Sequence, residues 1–205
     1  LKIKKEEDIS SFDISDKQKC FVIKVKNKFE SYWPQENGGN FYSYLKKFKD
    51  IRQVYLYIDS LDFEKDKLEN FFSQFIFGFN LKSYTFNKYK TLNIEKINKK
   101  IIFKIITSYK ENFQKEYKYN DAIKEGVFMT RDLVSEPPNV LSPKKYTEEI
   151  KKLSKLGLKI EVLNESKLKK LGMNSLLGVG QGSENETFLV VLRWNGAKSN
   201  FGKPL

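Results

Sequence analysis

No histidine occurs in these 205 residues, and Cys20 is the single cysteine. Without imidazole the chain by itself cannot carry a Ser-His-Asp or Cys-His nucleophile pair, an HExxH zinc helix or a histidine general base. One cysteine excludes an internal disulfide and a thiolate zinc cluster, as expected in a reducing compartment. Cys20 opens the alternating segment Cys20-Phe21-Val22-Ile23-Lys24-Val25-Lys26, which reads as a structural strand rather than a reactive thiol. Glycine and proline are scarce, at 11 and 5 residues, while 17 Phe and 11 Tyr supply core material, so the chain is expected to fold. No apolar run approaches the ~18 residues that span a bilayer, and the opening LKIKKEEDIS lacks the apolar core of a signal peptide. The expectation is a soluble, cytoplasmic protein with no membrane partner, whose sequons at Asn164 and Asn185 stay unmodified.

Arginine is nearly absent as well. Of 38 basic residues only Arg52, Arg131 and Arg193 are arginines, and the formal net charge is +12. Lysine is dispersed along the whole chain, with local pairs such as Lys46-Lys47, Lys99-Lys100, Lys144-Lys145, Lys151-Lys152 and Lys169-Lys170. A dedicated phosphate surface concentrates charge and favours arginine for bidentate contacts. A composition rich in Lys, Ile, Phe, Tyr and Asn, the residues of A/T-rich codons, produces the same charge without one. Weak, nonspecific nucleic-acid affinity is the implication.

Strands and helices alternate from the start. Lys19 to Lys26 and Gln53 to Asp59 read as strands around a short helix over Phe41 to Phe48. Phe71, Phe72, Phe75, Ile76 and Phe79 give a helix buried on one face, with Asp62 as its N-cap. Lys100 to Ile106 is a β-branched run that suits a covered strand. The alternation predicts α/β layers with a mostly parallel sheet. A helix of about 20 residues follows, with its stripe at Tyr119, Ile123, Val127, Thr130 and Val134. It stops at Glu136, because Pro137 disfavours helical dihedrals in the residue before it.

Beyond Pro137-Pro138 the pattern restarts. Ser142-Pro143 starts a helix with Tyr146, Ile150 and Leu153 inward, closed by Gly157. A strand over Leu158 to Val162, a short helix from Glu165 capped by Asn164, a stop at Gly172 and a strand over Thr187 to Trp194 complete the unit. About 65 residues are few for an α/β domain, so this unit reads as an incomplete beginning. The last strand is expected to lack a neighbour and to self-associate.

Three segments have a chemical reading. Gly178, Gly180 and Gly182 imitate a phosphate loop, but Ser183 stands where a dinucleotide fingerprint needs glycine, no Gly-Lys-Ser/Thr occurs, and Glu184 and Glu186 oppose phosphate. A tight structural loop is the expectation. Tyr84-Thr85-Phe86-Asn87-Lys88-Tyr89-Lys90 offers aromatic and cationic side chains for base stacking, yet lacks an RNA-recognition pattern, so packing is expected. Glu6, Glu7 and Asp8 form a solvated charge run, and no Asp/Glu set has metal-ligand spacing.

The stretch Arg131-Asp132-Leu133-Val134-Ser135-Glu136-Pro137-Pro138-Asn139, continuing through Ser142-Pro143 to Tyr146, resembles the signature that ends the interdomain helix of the leucyl (cytosol) aminopeptidase family. Phe77-Gly78-Phe79 through Thr91 and Leu171-Gly172-Met173 through Ser183 resemble further segments of that family in the same order. The resemblance is specific from about Phe77 to Trp194, and before residue 60 rests on the strand and helix rhythm.

The resemblance implies a three-layer macro-like α/β domain over residues 1–110, a connector helix over 111–136, and the incomplete beginning of a metallo-aminopeptidase catalytic domain over 137–205. It implies a metallo-exopeptidase releasing N-terminal residues from peptides. Its cofactors would be two divalent metal ions, zinc, manganese or magnesium, which need no histidine. It also implies assembly into a homohexamer. The family's metal-binding motifs, including Asn-Thr-Asp-Ala-Glu-Gly-Arg, do not occur in this sequence, and Lys203 does not match the metal-binding lysine. No catalytic, metal or cofactor-binding residue is therefore assigned to any position. The expectation is an architectural region, inactive alone. The alternative is a nucleic-acid-binding module using the basic surface; an independent macro-type ligand domain has no sequence signal.

Overall fold

Asp16 and Lys17 reverse the chain between β1 (Ile9–Ser15) and β2 (Gln18–Ile23), which pair antiparallel with Phe12 opposite Cys20. The structure, a computed structural model, describes residues 8–26, 30–48, 50–57, 59, 64–92, 101–108 and 113–196. The Asp62 cap, Glu6, Glu7 and Lys203 lie outside them. Strand β1 was not expected from the sequence: Ser10, Ser11, Asp13 and Ser15 interrupt its apolar pattern, and its pairing with β2 supplies the hydrogen bonds that hold it.

Helix α1 (Trp33–Leu45) starts eight residues before the Phe41 expected from the apolar spacing. Pro34 suits the first turn because its missing N–H has no helical partner to lose. The run Asn37-Gly38-Gly39-Asn40 has low helix propensity. Packing overrides it. Helix α2 (Lys65–Ser83) crosses α1 so closely that a Cβ on Gly38 would lie 2.9 Å from the Phe79 amide nitrogen. A Cβ on Gly78 would lie 2.6 Å from Gln35 Cα. Both glycines are required by this approach.

Strands β3 (Gln53–Tyr57) and β4 (Ile102–Ile106) are parallel, with Val54 opposite Phe103 and Leu56 opposite Ile105. These four side chains pack towards α1 and α2 around Phe41, Leu45, Phe75 and Phe79. Phe79 meets Phe103 edge-on at 4.4 Å between centroids. Tyr55, Tyr57, Ile102 and Ile106 lie on the opposite face and are exposed. Fully burying side chains of this size contributes about 1.5–3 kcal/mol each, so the Phe-rich seam is the main stabilising feature of this part.

Helix α3 (Phe113–Ser135) ends where Pro137 requires. Its buried side is not the expected stripe. Tyr119, Ile123 and Val134 are exposed, whereas Asn120 is 4% exposed. Asn120 donates from Nδ2 to the buried Ser73 hydroxyl at 2.7 Å, and Lys124 pairs with Asp121 and Glu125. Apolar periodicity missed this face because its polar groups satisfy one another.

The chain divides into two compact units, residues 1–131 and 132–205. In the second, Ser142 caps α4 (Pro143–Lys151) by accepting from the Lys145 amide. A 3₁₀ turn (Lys152–Leu156) ends at Gly157, whose φ of 94° favours glycine. Strand β5 (Lys159–Leu163) pairs antiparallel with β6 (Leu189–Arg193). Between them lie α5 (Glu165–Lys170), capped by Asn164 as expected, and α6 (Asn174–Gly180), which was not expected. The described ladders are thus one parallel and two antiparallel pairs, a mixed arrangement rather than a mostly parallel sheet. A two-residue reversal forces the first pair antiparallel.

Candidate functional site

Two of the segments carrying the family resemblance, Phe77 to Thr91 and the one that opens at Arg131, meet at Arg131. Helix α2 ends at Ser83, leaving its last carbonyls without helical donors. Ser83 Oγ donates to the Asn80 carbonyl at 2.7 Å, and Arg131 Nη1 donates to the Leu81 carbonyl at 2.6 Å. A cation at this end also complements the helix dipole. The Arg131 guanidinium lies over the Tyr84 ring, 5.4 Å from its centroid, and Tyr84 packs on Phe128 at 5.2 Å. Arginine suits the place because its planar fork reaches a carbonyl and stacks on a ring together.

Tyr84 is therefore a packing residue, as expected for the aromatic-basic segment. Phe86 and Tyr89 pack on one another, and the Lys90 amide closes a turn onto the Asn87 carbonyl. Past Arg131, the Glu136 amide bonds back to Asp132, and the Val140 and Leu141 amides both reach the Pro137 carbonyl. The Ser-Glu-Pro-Pro-Asn signature thus builds a tight turn between α3 and the Ser142 cap.

The glycine trio is not the loop expected of it. Gly178 and Gly180 lie in α6, and only Gly180 is sterically required: a Cβ there would meet the Thr187 side chain, with Thr187 Cβ at 3.1 Å. Nothing lies within 4 Å of a Cβ on Gly178 or Gly182. Glu165 accepts from the Thr187 amide at 3.0 Å, fixing the chain as it enters β6. The amides of Gln181, Ser183 and Asn185 are each bonded within this segment, to Leu177, Gly180 and the Ser183 hydroxyl.

Among the described residues no group of three or more His, Cys, Asp and Glu is placed to hold a metal ion. Several carboxylates are committed locally. Asp13 pairs with Lys19 and Glu161 with Arg193. Asp59, just past β3, accepts from Thr107 Oγ1 and the Ser108 amide, both at 2.6 Å. These bonds hold its carboxyl below the usual carboxylate range, the Thr107 hydroxyl contributing most. The described residues do not fit a two-metal centre. Cys20 is half-buried in β2, as a structural strand residue.

A feature the sequence did not reveal is an open cleft of about 580 Å³ where β2 leads into α1, lined by Asp8, Lys26, Glu30, Trp33, Glu36 and Asn37. Apart from Asp8, its lining comes from one stretch between Lys26 and Asn40, where the side chains follow no motif of known chemistry. Its acidic side chains outnumber the single lysine and disfavour phosphate. No helix among the described residues is long and apolar enough to cross a membrane.

Comparison with known proteins agrees with the resemblance. Residues 128–204 match the profile of the cytosol aminopeptidase family, catalytic domain. A probable cytosol aminopeptidase of Phytoplasma mali is 40% identical over 171 residues, 82% of this chain and 34% of the relative. A probable cytosol aminopeptidase of Agrobacterium fabrum is 41% identical over 152 residues, 73% of this chain and 30% of the relative. The chain thus spans about a third of the length of these relatives. Among solved structures, a mutant of tomato leucine aminopeptidase superposes with a TM-score of 0.77 at 19% identity, covering 90% of this chain and 37% of that one. The bottromycin maturation enzyme BotP, in complex with Mn, gives 0.73 at 18% identity, covering 91% and 39%. At these identities the structural likeness establishes the mixed α/β fold.

Proposed function

The chain is a relative of the cytosol aminopeptidase family, and from that premise we propose that it is the N-terminal region of a metal-dependent aminopeptidase that releases N-terminal residues from peptides. The observation that carries this reading is the match over residues 128–204 together with 40% identity to a curated relative across 82% of the chain. The proposed division is a three-layer macro-like domain over residues 1–110, a connector helix over 111–136, and the beginning of the catalytic domain over 137–205.

Two divalent metals, of which manganese in BotP is one instance, would polarise the peptide carbonyl and lower the pKa of a bound water. Their ligands belong to motifs absent from these 205 residues. This chain's own contribution is architectural. Arg131 ties α3 to the end of α2, the Pro137 turn redirects the backbone, and Ser142 and Asn164 start the helices of the second unit. In this reading the complete enzyme is a cytoplasmic homohexamer, and the 205 residues alone are inactive.

Calorimetric titration with Mn²⁺ tests the metal part. The 205-residue chain is expected to give no stoichiometric binding, while the same chain extended with the remaining sequence of the Phytoplasma mali relative binds two ions. Stoichiometric binding by the short chain would overturn the assignment. Saturable duplex DNA binding, with log affinity falling by about 0.9 per neutralised phosphate against log salt, would move the reading to the nucleic-acid alternative.

A further inference from the structure

Asn-Gly occurs twice in the chain, at Asn37-Gly38 and Asn195-Gly196, and the structure treats the two oppositely. Asn37 lies within α1 at 5% exposure, and its side-chain nitrogen donates to the Trp33 carbonyl at 2.9 Å. Gly38 is in the same helix, so its amide is engaged in the helical ladder and its backbone is fixed against α2. Asn195 and Gly196 follow the end of β6, are exposed, and belong to neither helix nor strand.

We propose that Asn195 is a site of spontaneous deamidation and isoaspartate formation in the native protein, and that Asn37 is protected until the chain unfolds. The Gly196 backbone nitrogen attacks Asn195 Cγ. A C–N bond forms, the Cγ–Nδ2 bond breaks, and ammonia leaves carrying the proton lost from Gly196. Water then opens the resulting succinimide at either carbonyl, giving an aspartyl or an isoaspartyl linkage at position 195; no oxidant or reductant takes part. Glycine matters at position 196 because no side chain hinders the approach of its nitrogen.

The product places a new carboxylate two residues from Arg193, which lies 3.5 Å from Glu161 across the β5–β6 ladder. It also alters the backbone beneath Trp194, whose indole nitrogen would be 2.5 Å from a Cβ on Gly196. The modification therefore marks the end of β6 with one unit of negative charge.

The test is timed incubation of the 205-residue chain at mildly alkaline pH, followed by peptide mapping and isoaspartyl methylation with a protein carboxyl methyltransferase. The expected result is a mass gain of one unit and methyl incorporation at position 195, at least about tenfold faster than at position 37, with the difference lost in urea. Asn195→Gln is expected to abolish the native-state signal and leave the signal at position 37 in urea. Equal native rates at the two positions, or modification of Asn195 only in urea, would overturn the proposal.

Discussion

Gly38 of α1 rests directly on the Phe75 carbonyl of α2, with no room for a methyl group between the two helices. Gly78 makes the same approach to the backbone of Gln35 in the other direction. Neither neighbour is the flexible end of a side chain, so neither can yield without moving a helix. Gly38→Ala and Gly78→Ala are each expected to lower the stability of the first unit by about 1–3 kcal/mol, read from urea midpoints. Gly126→Ala is the contrast. Nothing lies within 4 Å of a Cβ at that α3 position, and the change is expected to add about 0.5–1 kcal/mol.

Arg131 divides its guanidinium between the Leu81 carbonyl and the Tyr84 ring. Lysine keeps the charge but not the fork. Arg131→Lys is expected to cost about 1–2 kcal/mol and to speed amide exchange over residues 128–135. Exchange unchanged by the substitution would show that α3 is held by its other contacts.

Asn120 and Ser73 form a polar pair that is closed to solvent. Removing one partner strands the other, so Asn120→Ala is expected to cost about 1–3 kcal/mol. Asn120→Leu combined with Ser73→Ala removes both polar groups and is expected to recover most of that loss. A double-mutant cycle in urea reads the coupling.

Asp59 titrates below the ordinary carboxylate range because its charged form accepts from Thr107 and Ser108. A carboxyl whose folded-state pKa is depressed stabilises the fold fully above the unfolded-state value and loses that contribution as pH falls through the folded-state value. The urea midpoint should therefore fall on acidification below the usual carboxylate pKa, and Asp59→Asn should flatten that acid limb. An acid limb unchanged in the variant would remove Asp59 from the account.

Much of this was legible in the sequence, for identifiable reasons. The Phe71 to Phe79 helix, the strands at Gln53 and Ile102, the stop before Pro137, and the Ser142 and Asn164 caps rest on local spacing and local hydrogen bonds. Several of the misses share a cause, which is that packing between distant segments overrides local preference. Apolar spacing starts the first helix at Phe41, and only the packing of α2 across Gly38 accounts for its start at Trp33. Apolar spacing puts the α3 stripe through Ile123, whereas the buried side runs through Asn120, whose partner lies 47 residues away. The Arg131 contact with Leu81 spans 50 residues, so its motif was recognisable by resemblance but its geometry was not. The Asp59 clamp is likewise assembled from distant segments, Thr107 lying 48 residues away.

In the proposed reading this chain contributes architecture to an aminopeptidase whose metal chemistry resides in motifs it does not contain. Hydrolysis of leucine p-nitroanilide with manganese present tests it most directly, comparing the 24.2 kDa chain, its mass confirmed, with the same chain extended by the catalytic sequence of the Phytoplasma mali relative. Turnover by the extended protein alone is expected. Metal-dependent turnover by the 205-residue chain would contradict it.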